Sequence, residues 1–477
     1  MKRPALGVAA ALLLAACIPP PKDAPRLAQL PAGALGLGAA AAPAVDDGWW
    51  KSYGDPQLDR LADEALAHNP SLEQALARVR AAQSQAEVEH ARLLPGFYLD
   101  ADEARQRFSA NSYIPPPFAG GTYWQGQVAA SMTWHLDFWG RQAALLGRAR
   151  AQTSAAGLDV ASARLALAGA LAQAYIDLDR NYALADLAQR TEAQRSRILE
   201  LTRGRLSAGL DTRVELRQAE GSVPQARVEL QQAQAAQALA VHQLAALAGR
   251  GADAYAGIQR PRLQLDTALP LPAALPADLL GRRPDVLAAR LRVEAATAGR
   301  QAAKAEFYPD VNLTVLAGYS AIGLHDLFDS SSRTWDVGPA VHLPIFMSAR
   351  LKAQFRGATA ELDEAIAAYN DTVLHAVRQA ADQLSLIAAL QRELAEQQRS
   401  LDAAEDAWRI AQERYGAGLS SYLSVLSAET QVLTARRQRV ELVSAQAAAR
   451  VALLLTVGGS FDPQAPLPLQ AASNPHS

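Results

Sequence analysis

Several things are scarce in this sequence of 477 residues, and each scarcity excludes a class of protein. There is one cysteine, Cys17. A single thiol cannot close an internal disulfide, so no disulfide scaffold is available. Charge of one sign is not in excess: 46 lysines and arginines against 48 aspartates and glutamates leave a formal net charge of −2. That balance carries no electrostatic footprint for nucleic acid as a partner. After residue 17 no run of 18 uninterrupted apolar residues occurs, which excludes an ordinary transmembrane helix. Catalytic motifs are missing as well. The 8 histidines are scattered, and there is no His-Glu-x-x-His pair, no Gly-x-Ser-x-Gly elbow and no phosphate-binding glycine loop. No enzyme and no metal centre are expected.

The N-terminus, by contrast, is rich in signal. Lys2-Arg3 precedes an apolar run from Ala5 to Ala16, too short to span a bilayer and shaped like an export signal. The run ends in Leu14-Ala15-Ala16-Cys17, which resembles a bacterial lipobox. That resemblance implies a signal peptide over 1–16 and a covalent lipid on Cys17, with no other cofactor. Ile18 in place of an aspartate points, by analogy with lipoprotein sorting, to the outer membrane. Residues 18–48, rich in Pro, Ala and Gly, read as an extended tether within an N-terminal segment 17–58.

Most of the remaining chain is written twice. Asn69-Pro70-Ser71-Leu72 is answered by Arg283-Pro284-Asp285-Val286, and Pro95-Gly96-Phe97 by Pro309-Asp310-Val311, both 214 residues later. Leu136-Asp137-Phe138 matches Leu343-Pro344-Ile345 at 207, and the turn from Arg205 to Leu210 matches that from Arg414 to Leu419 at 209. Such a period is too long for a solenoid, so the repeated unit is a subdomain. The halves span 59–250 and 278–457, with a linker over 251–277 and an extended tail over 458–477. Each half reads as a helix, two strands and a long helical hairpin.

The strands are expected at about 95–110, 122–138, 309–320 and 334–345. Between Tyr123 and Leu136, Trp124, Val128, Ala130, Met132 and Trp134 alternate with Gln125, Gln127, Ser131, Thr133 and His135, a period-2 split of polarity. Long strands with one apolar and one polar face suit a membrane barrel. Four strands leave open edges, which lipid forbids, so several protomers are required and three give twelve strands. Trp134, Phe138 and Trp139 are placed as an interfacial aromatic belt would be, although a cluster buried beneath a soluble sheet has the same pattern. His135 and His342, 207 apart, read as lumen-facing residues. The helical rods are equally unusual. From Arg141 to Arg203 there is no proline, and such a helix is roughly 95 Å long. Residues 349–413 match it, and each rod returns after a glycine turn, as helix C-termini commonly do. Gly221 and Pro224 predict a kink in the first return.

These features together resemble the outer membrane factor family, the trimeric channel-tunnels of tripartite efflux pumps and type I secretion systems. The motifs that carry the resemblance most specifically are Leu136-Asp137-Phe138-Trp139-Gly140-Arg141, Gly281-Arg282-Arg283-Pro284-Asp285-Val286 and Arg414-Tyr415-Gly416-Ala417-Gly418. It implies a membrane α+β fold: a twelve-stranded outer membrane barrel, four strands per chain, continuous with a long periplasmic α-helical barrel. It implies a homotrimer that meets outer membrane lipid, a periplasmic adaptor (membrane fusion) protein and an inner-membrane RND, MFS or ABC transporter. Drug efflux is the expected function, with type I protein secretion as an alternative and a purely structural periplasmic lipoprotein as a more distant one. At the periplasmic aperture the family usually carries aspartates where this chain has Ser424 and Ser427, whose first-half counterparts are Glu215 and Gln218. Glu215 is left as the candidate for an acidic ring. Arg205, Gly209, Gly416 and Gly418 are candidates for the adaptor-docking turn, and Arg414 and Tyr415 for a latch between neighbouring hairpins. Solvated arginines at helix ends are the alternative reading of the same positions.

Overall fold

The computed structural model describes residues 19, 21–31, 33, 35–38, 43–111, 113–265, 269, 271–276, 278–344 and 346–465. Cys17, the signal segment and Ile345 lie outside the described residues. The chain divides into two compact units: residues 1–29, 78–156 and 288–370 form one, and 30–77, 157–287 and 371–477 the other.

The first unit is built around a sheet of four antiparallel strands in sequence order: β1 (Gly96–Arg107), β2 (Thr122–His135), β3 (Asp310–Ile322) and β4 (Arg333–His342). The register pairs Phe97 with Met132, Met132 with Val315, and Val315 with Val337, so the apolar residues of all four strands share one face. The opposite face is polar. The Ser131 hydroxyl donates to the Asp100 carboxylate at 2.9 Å across it, and His135 Nδ1 lies 3.0 Å from Asn312 Oδ1. A large share of the apolar face is exposed in the single chain, including Phe97, Leu99 and Trp335, each at 74% or more. A soluble sheet would cover such a face. β1 and β4 are edges with unpaired outer hydrogen-bonding groups.

The two connections at the far end of the sheet fold to opposite faces. Phe108 stacks on Tyr123 of the polar face, and the Tyr123 hydroxyl donates to the Pro117 carbonyl at 3.0 Å. Leu324 and Leu327 instead lie over Gly126 on the apolar face, where a Cβ would come within 2.9 Å of the Leu324 side chain. The bare glycine is what admits them.

The longer helices are α1 (Pro56–His68), α2 (Pro70–Ala91), α3 (Arg141–Ser207), α4 (Arg213–Leu247), α5 (Pro284–Ala305), α6 (Ser348–Gly416) and α7 (Tyr422–Thr456). β2 ends at His135, and Asp137 then caps α3, accepting from the backbone N–H groups of Gln142 and Ala143. α4 continues as helix through Gly221 and Pro224 without a break. α3 contains a stretch apolar enough in length and composition to cross a membrane, half of it already buried within the protein. The main core of the second unit gathers Trp49, Trp50, Tyr53, Leu171, Tyr175, Leu178, Leu244 and Leu454. There Tyr175 donates to Asp55 at 2.7 Å, and Asp55 also accepts from the Arg262 backbone, so the segment after residue 43 is fixed to α3.

Candidate functional site

Both hairpin turns close by the same backbone bonds. Gly209 and Gly418 adopt left-handed φ values of 72° and 77°, and the amides of Leu210 and Leu419 reach back to the carbonyls of Arg205 and Arg414 at 2.9 and 2.8 Å. This is the helix-ending motif that glycine permits. Their side chains, however, differ. Arg205 is buried and grips the Asp211 carboxylate with two bonds, at 3.0 and 3.2 Å. Its third nitrogen donates to the Tyr415 carbonyl at 2.9 Å, and the guanidinium carbon lies 4.4 Å from the Tyr415 ring centroid. The Tyr415 hydroxyl donates to Asp211 at 2.6 Å and lies 3.1 Å from the Thr202 hydroxyl. Burial, reinforced by the Asp211 carboxylate, pushes the Tyr415 phenol up to about 12, so it remains a donor at any physiological pH.

A second polar contact lies further along the same helices. Glu429 of α7, 1% exposed, accepts from Gln194 at 2.7 Å and from Arg195 at 3.4 Å, and Arg195 also donates to the Ser222 carbonyl. Between the two clusters Ile198, Ala219, Tyr422 and Val425 form an apolar plug. The first hairpin, α3–α4, is thus fastened to the second, α6–α7, by a polar clasp, a dry layer and a buried ion pair. Asp211, Thr202, Arg195 and Glu429 had no place among the sequence candidates.

The structure divides the candidates that had one. Arg205 and Tyr415 are buried together, whereas Arg414 is exposed. Arg205 is therefore not on the open surface of the turn, and Tyr415 joins hairpins of one chain. Gly209, Gly416 and Gly418 are exposed, as are Leu210 at 63% and Leu419 at 69%. Gln218, Ser424 and Ser427 are exposed. Glu215 closes a capping box, accepting from the Thr212 amide and hydroxyl, and these bonds hold its pKa below the ordinary value. Trp134, Phe138 and Trp139 are 38%, 68% and 46% exposed. Trp134 donates to the Leu93 carbonyl, while Trp139 donates to that of Pro309 and stacks on Tyr308. Among the described residues no group of three His, Cys, Asp or Glu is arranged to hold a metal ion.

Comparison with known proteins decides what this combination belongs to. The model of the outer membrane efflux protein family matches residues 61–250 and 275–459, one segment in each half. The chain belongs to that family. It is 33% identical to the outer membrane protein OprJ of Pseudomonas aeruginosa over 97% of both chains. To the fusaric acid resistance protein FusA of Burkholderia cepacia it is 39% identical, over 74% of this chain and 68% of FusA. The solved structure of VceC from Vibrio cholerae superposes with a TM-score of 0.83 at 35% identity, covering 88% of this chain and 100% of VceC.

The chain is one protomer of a trimeric efflux channel, with its strands in the outer membrane barrel and a large periplasmic helical portion. It works with an adaptor and an inner-membrane transporter as the outer component of a tripartite pump, and it is not an enzyme. The exposed apolar face of the sheet faces lipid, and the open edges of β1 and β4 meet neighbouring protomers.

Proposed function

We propose that the trimer is a passive conduit for small toxic compounds, gated at its hairpin turns and opened when the adaptor docks there. The observation that carries this reading is the buried contact among Arg205, Asp211 and Tyr415, which joins the two turns of a protomer. The resting channel is held nearly closed by it. The adaptor opens the channel by binding the open arrangement more tightly than the closed one. Docking uses the exposed rim of the turns, where Gly209, Leu210, Gly416, Gly418 and Leu419 present backbone and apolar surface.

Arg414 holds the neighbouring turn across the protomer boundary, where it has no carboxylate in the position that Asp211 occupies for Arg205. The aperture lacks a double acidic ring, since Gln218, Ser424 and Ser427 are uncharged, and Glu215 supplies what negative charge remains. Divalent cations therefore block weakly. Cys17 carries the lipid, which supplements a barrel that already inserts. The cargo is drug-like, in keeping with relatives named for fusaric acid resistance and antibiotic or toluene efflux.

Conductance of the purified trimer in planar bilayers tests the gate. Tyr415→Phe and Asp211→Asn are expected to raise the open fraction about tenfold or more, since a hydrogen bond to a charged group contributes about 1.5–3 kcal/mol. Conductance equal to the parent in both variants would reject the gate. Mass analysis of membrane-extracted protein tests the lipid, and an unmodified Cys17 is the refuting result.

A further inference from the structure

The lipid-facing surface of the sheet does not stay apolar along its whole length. On β1 that face runs Phe97, Leu99, Ala101 and then, past Glu103, Arg105 and Arg107. On β4 it begins with Arg333 before Trp335, Val337 and Val341. All three arginines are exposed, and none forms an ion pair among the described residues. Several arginines of the helices are paired instead, as in Arg203–Glu200 and Arg399–Glu396.

Their depth is readable from tryptophan. Trp134 and Trp124 sit on the same face of β2, ten residues apart, and are 38% and 45% exposed. Ten residues of a tilted strand rise roughly 25 Å, the height of the apolar band of an outer membrane barrel. Trp134 lies at the helix-bearing, periplasmic end, so Trp124 marks the outer boundary. Arg105 is the register partner of Trp124, its guanidinium carbon 6.0 Å from the ring centroid, and Arg107, opposite Thr122, lies two pairs further out. The guanidinium groups of Arg105 and Arg107 therefore stand at outer headgroup level and point toward lipid, and Arg333 opens β4 directly after the outer connection that ends at Ser332. The polar face of the same sheet holds Asp100, Asp102 and Asp336 and no lysine or arginine. Glu103 apart, positive charge on the strands is sorted to the outside and negative charge to the lumen.

β1 and β4 are also the free edges. Closing the barrel pairs β4 of one protomer with β1 of the next, which brings the outer ends of both strands to one seam. Arginine on the lipid face is costly at mid-membrane and nearly free at the interface, where an anion can answer it. The planar guanidinium fork matches phosphate oxygens with paired hydrogen bonds. Phe328, 70% exposed, packs edge-on against Tyr319, the register partner of Arg333, and extends the apolar surface that acyl chains need.

We propose that Arg105 and Arg107 of one protomer and Arg333 of its neighbour seat the phosphate groups of a phosphorylated glycolipid of the outer leaflet, one seat at each seam. The lipid bridges two protomers, so it both anchors the channel and tightens the trimer.

The test uses the full-length trimer in detergent, with native mass analysis and thermal melting. The probes are lipid A bearing both phosphates, the same lipid with its phosphates removed, and inorganic phosphate. The parent is expected to retain the diphosphorylated lipid and to melt higher with it. Removing the phosphates, or making Arg105→Gln, Arg107→Gln and Arg333→Gln together, should weaken retention by about tenfold, as the loss of charge-assisted bonds implies. Equal retention of the dephosphorylated lipid would mean adhesion through acyl chains only and overturns the proposal. Inorganic phosphate binding as tightly as the lipid reassigns the seat to a free anion and overturns it too. A lower melting point for the triple variant in detergent without lipid would mean pairing between protomers, through Glu103 for example, and counts equally against it. Should the triple variant not assemble, Arg107→Gln, at the strand's outer end, is measured against the same probes. Unchanged retention there is again the overturning result.

Discussion

The Tyr415 hydroxyl donates to the Asp211 carboxylate at 2.6 Å, joining positions 204 residues apart in the chain. Asp211 is at once the partner of Arg205, so a single carboxylate collects the charge of one turn and the hydroxyl of the other. The pieces of this clasp are not of equal weight. Tyr415→Phe removes a donor but leaves the ion pair, and should loosen the turns by about 1.5–3 kcal/mol. Asp211→Ala leaves Arg205 buried without a counter-charge and should cost about 3–5 kcal/mol locally. Hydrogen exchange at residues 198–215 reads the difference. Equal protection loss in the two variants would contradict the ranking.

Acidity should act on the seam through Glu429. Burial pushes its carboxyl above the ordinary 4.5, against the opposing pull of Arg195 and Gln194. A carboxyl that holds its proton more tightly when folded favours the folded state below the unfolded value. That contribution is lost as pH rises through the interval from 4.5 to the raised value. The melting curve of the parent, followed between about pH 4 and pH 8, should therefore carry a downward component that Glu429→Gln lacks. Identical pH profiles in the two proteins would show that Glu429 does not titrate in this range.

Gly458 is predicted to tolerate no side chain. It adopts φ +105°, and a Cβ there would lie 2.3 Å from the Arg282 carbonyl oxygen. Gly458→Ala thus combines an unfavourable backbone conformation with a backbone collision, and should destabilise the second unit by about 2 kcal/mol or more. A melting temperature unchanged from the parent is the contrary result.

The barrel interior should prefer cations. Asp100, Asp102 and Asp336 share the lumenal face with Asp310, which His135 contacts at 2.9 Å. No lysine or arginine offsets them there. Reversal potentials in a salt gradient should show a roughly severalfold preference for potassium over chloride, reduced by salt and by joint replacement of Asp100, Asp102 and Asp336 with Asn. An anion preference in the parent would refute it.

The strands were legible in the sequence because alternation is a local signal: Trp124 to Trp134 declares its faces within one element. The rods were legible for a similar reason, a long stretch free of proline with apolar residues at helical spacing. The clasp was not. Asp211 looks like any acidic residue before a helix, and its partner Tyr415 is remote in the chain. A trace of it was available in the duplication, since the position 209 residues beyond Asp211 is Ser420 and the one beyond Arg195 is Ala404. Divergence at those positions is the mark of a contact made by one half and not the other. Glu429 hid better, because its first-half counterpart, Glu220, is also acidic. Arg414 and Arg205 looked interchangeable on sequence, and only the fold separates an exposed guanidinium from a buried one.

The unlike turns also write an order into the ring. Two first turns side by side would bring Arg205 and Asp211 against Leu206, which has no hydroxyl to donate. Two second turns would offer Tyr415 a serine, Ser420, in place of the carboxylate. Only a first turn beside a second completes the set, so like hairpins have no reason to sit together. A chain that once repeated itself is now paired within itself, so each protomer enters the ring with a first turn already fastened beside a second.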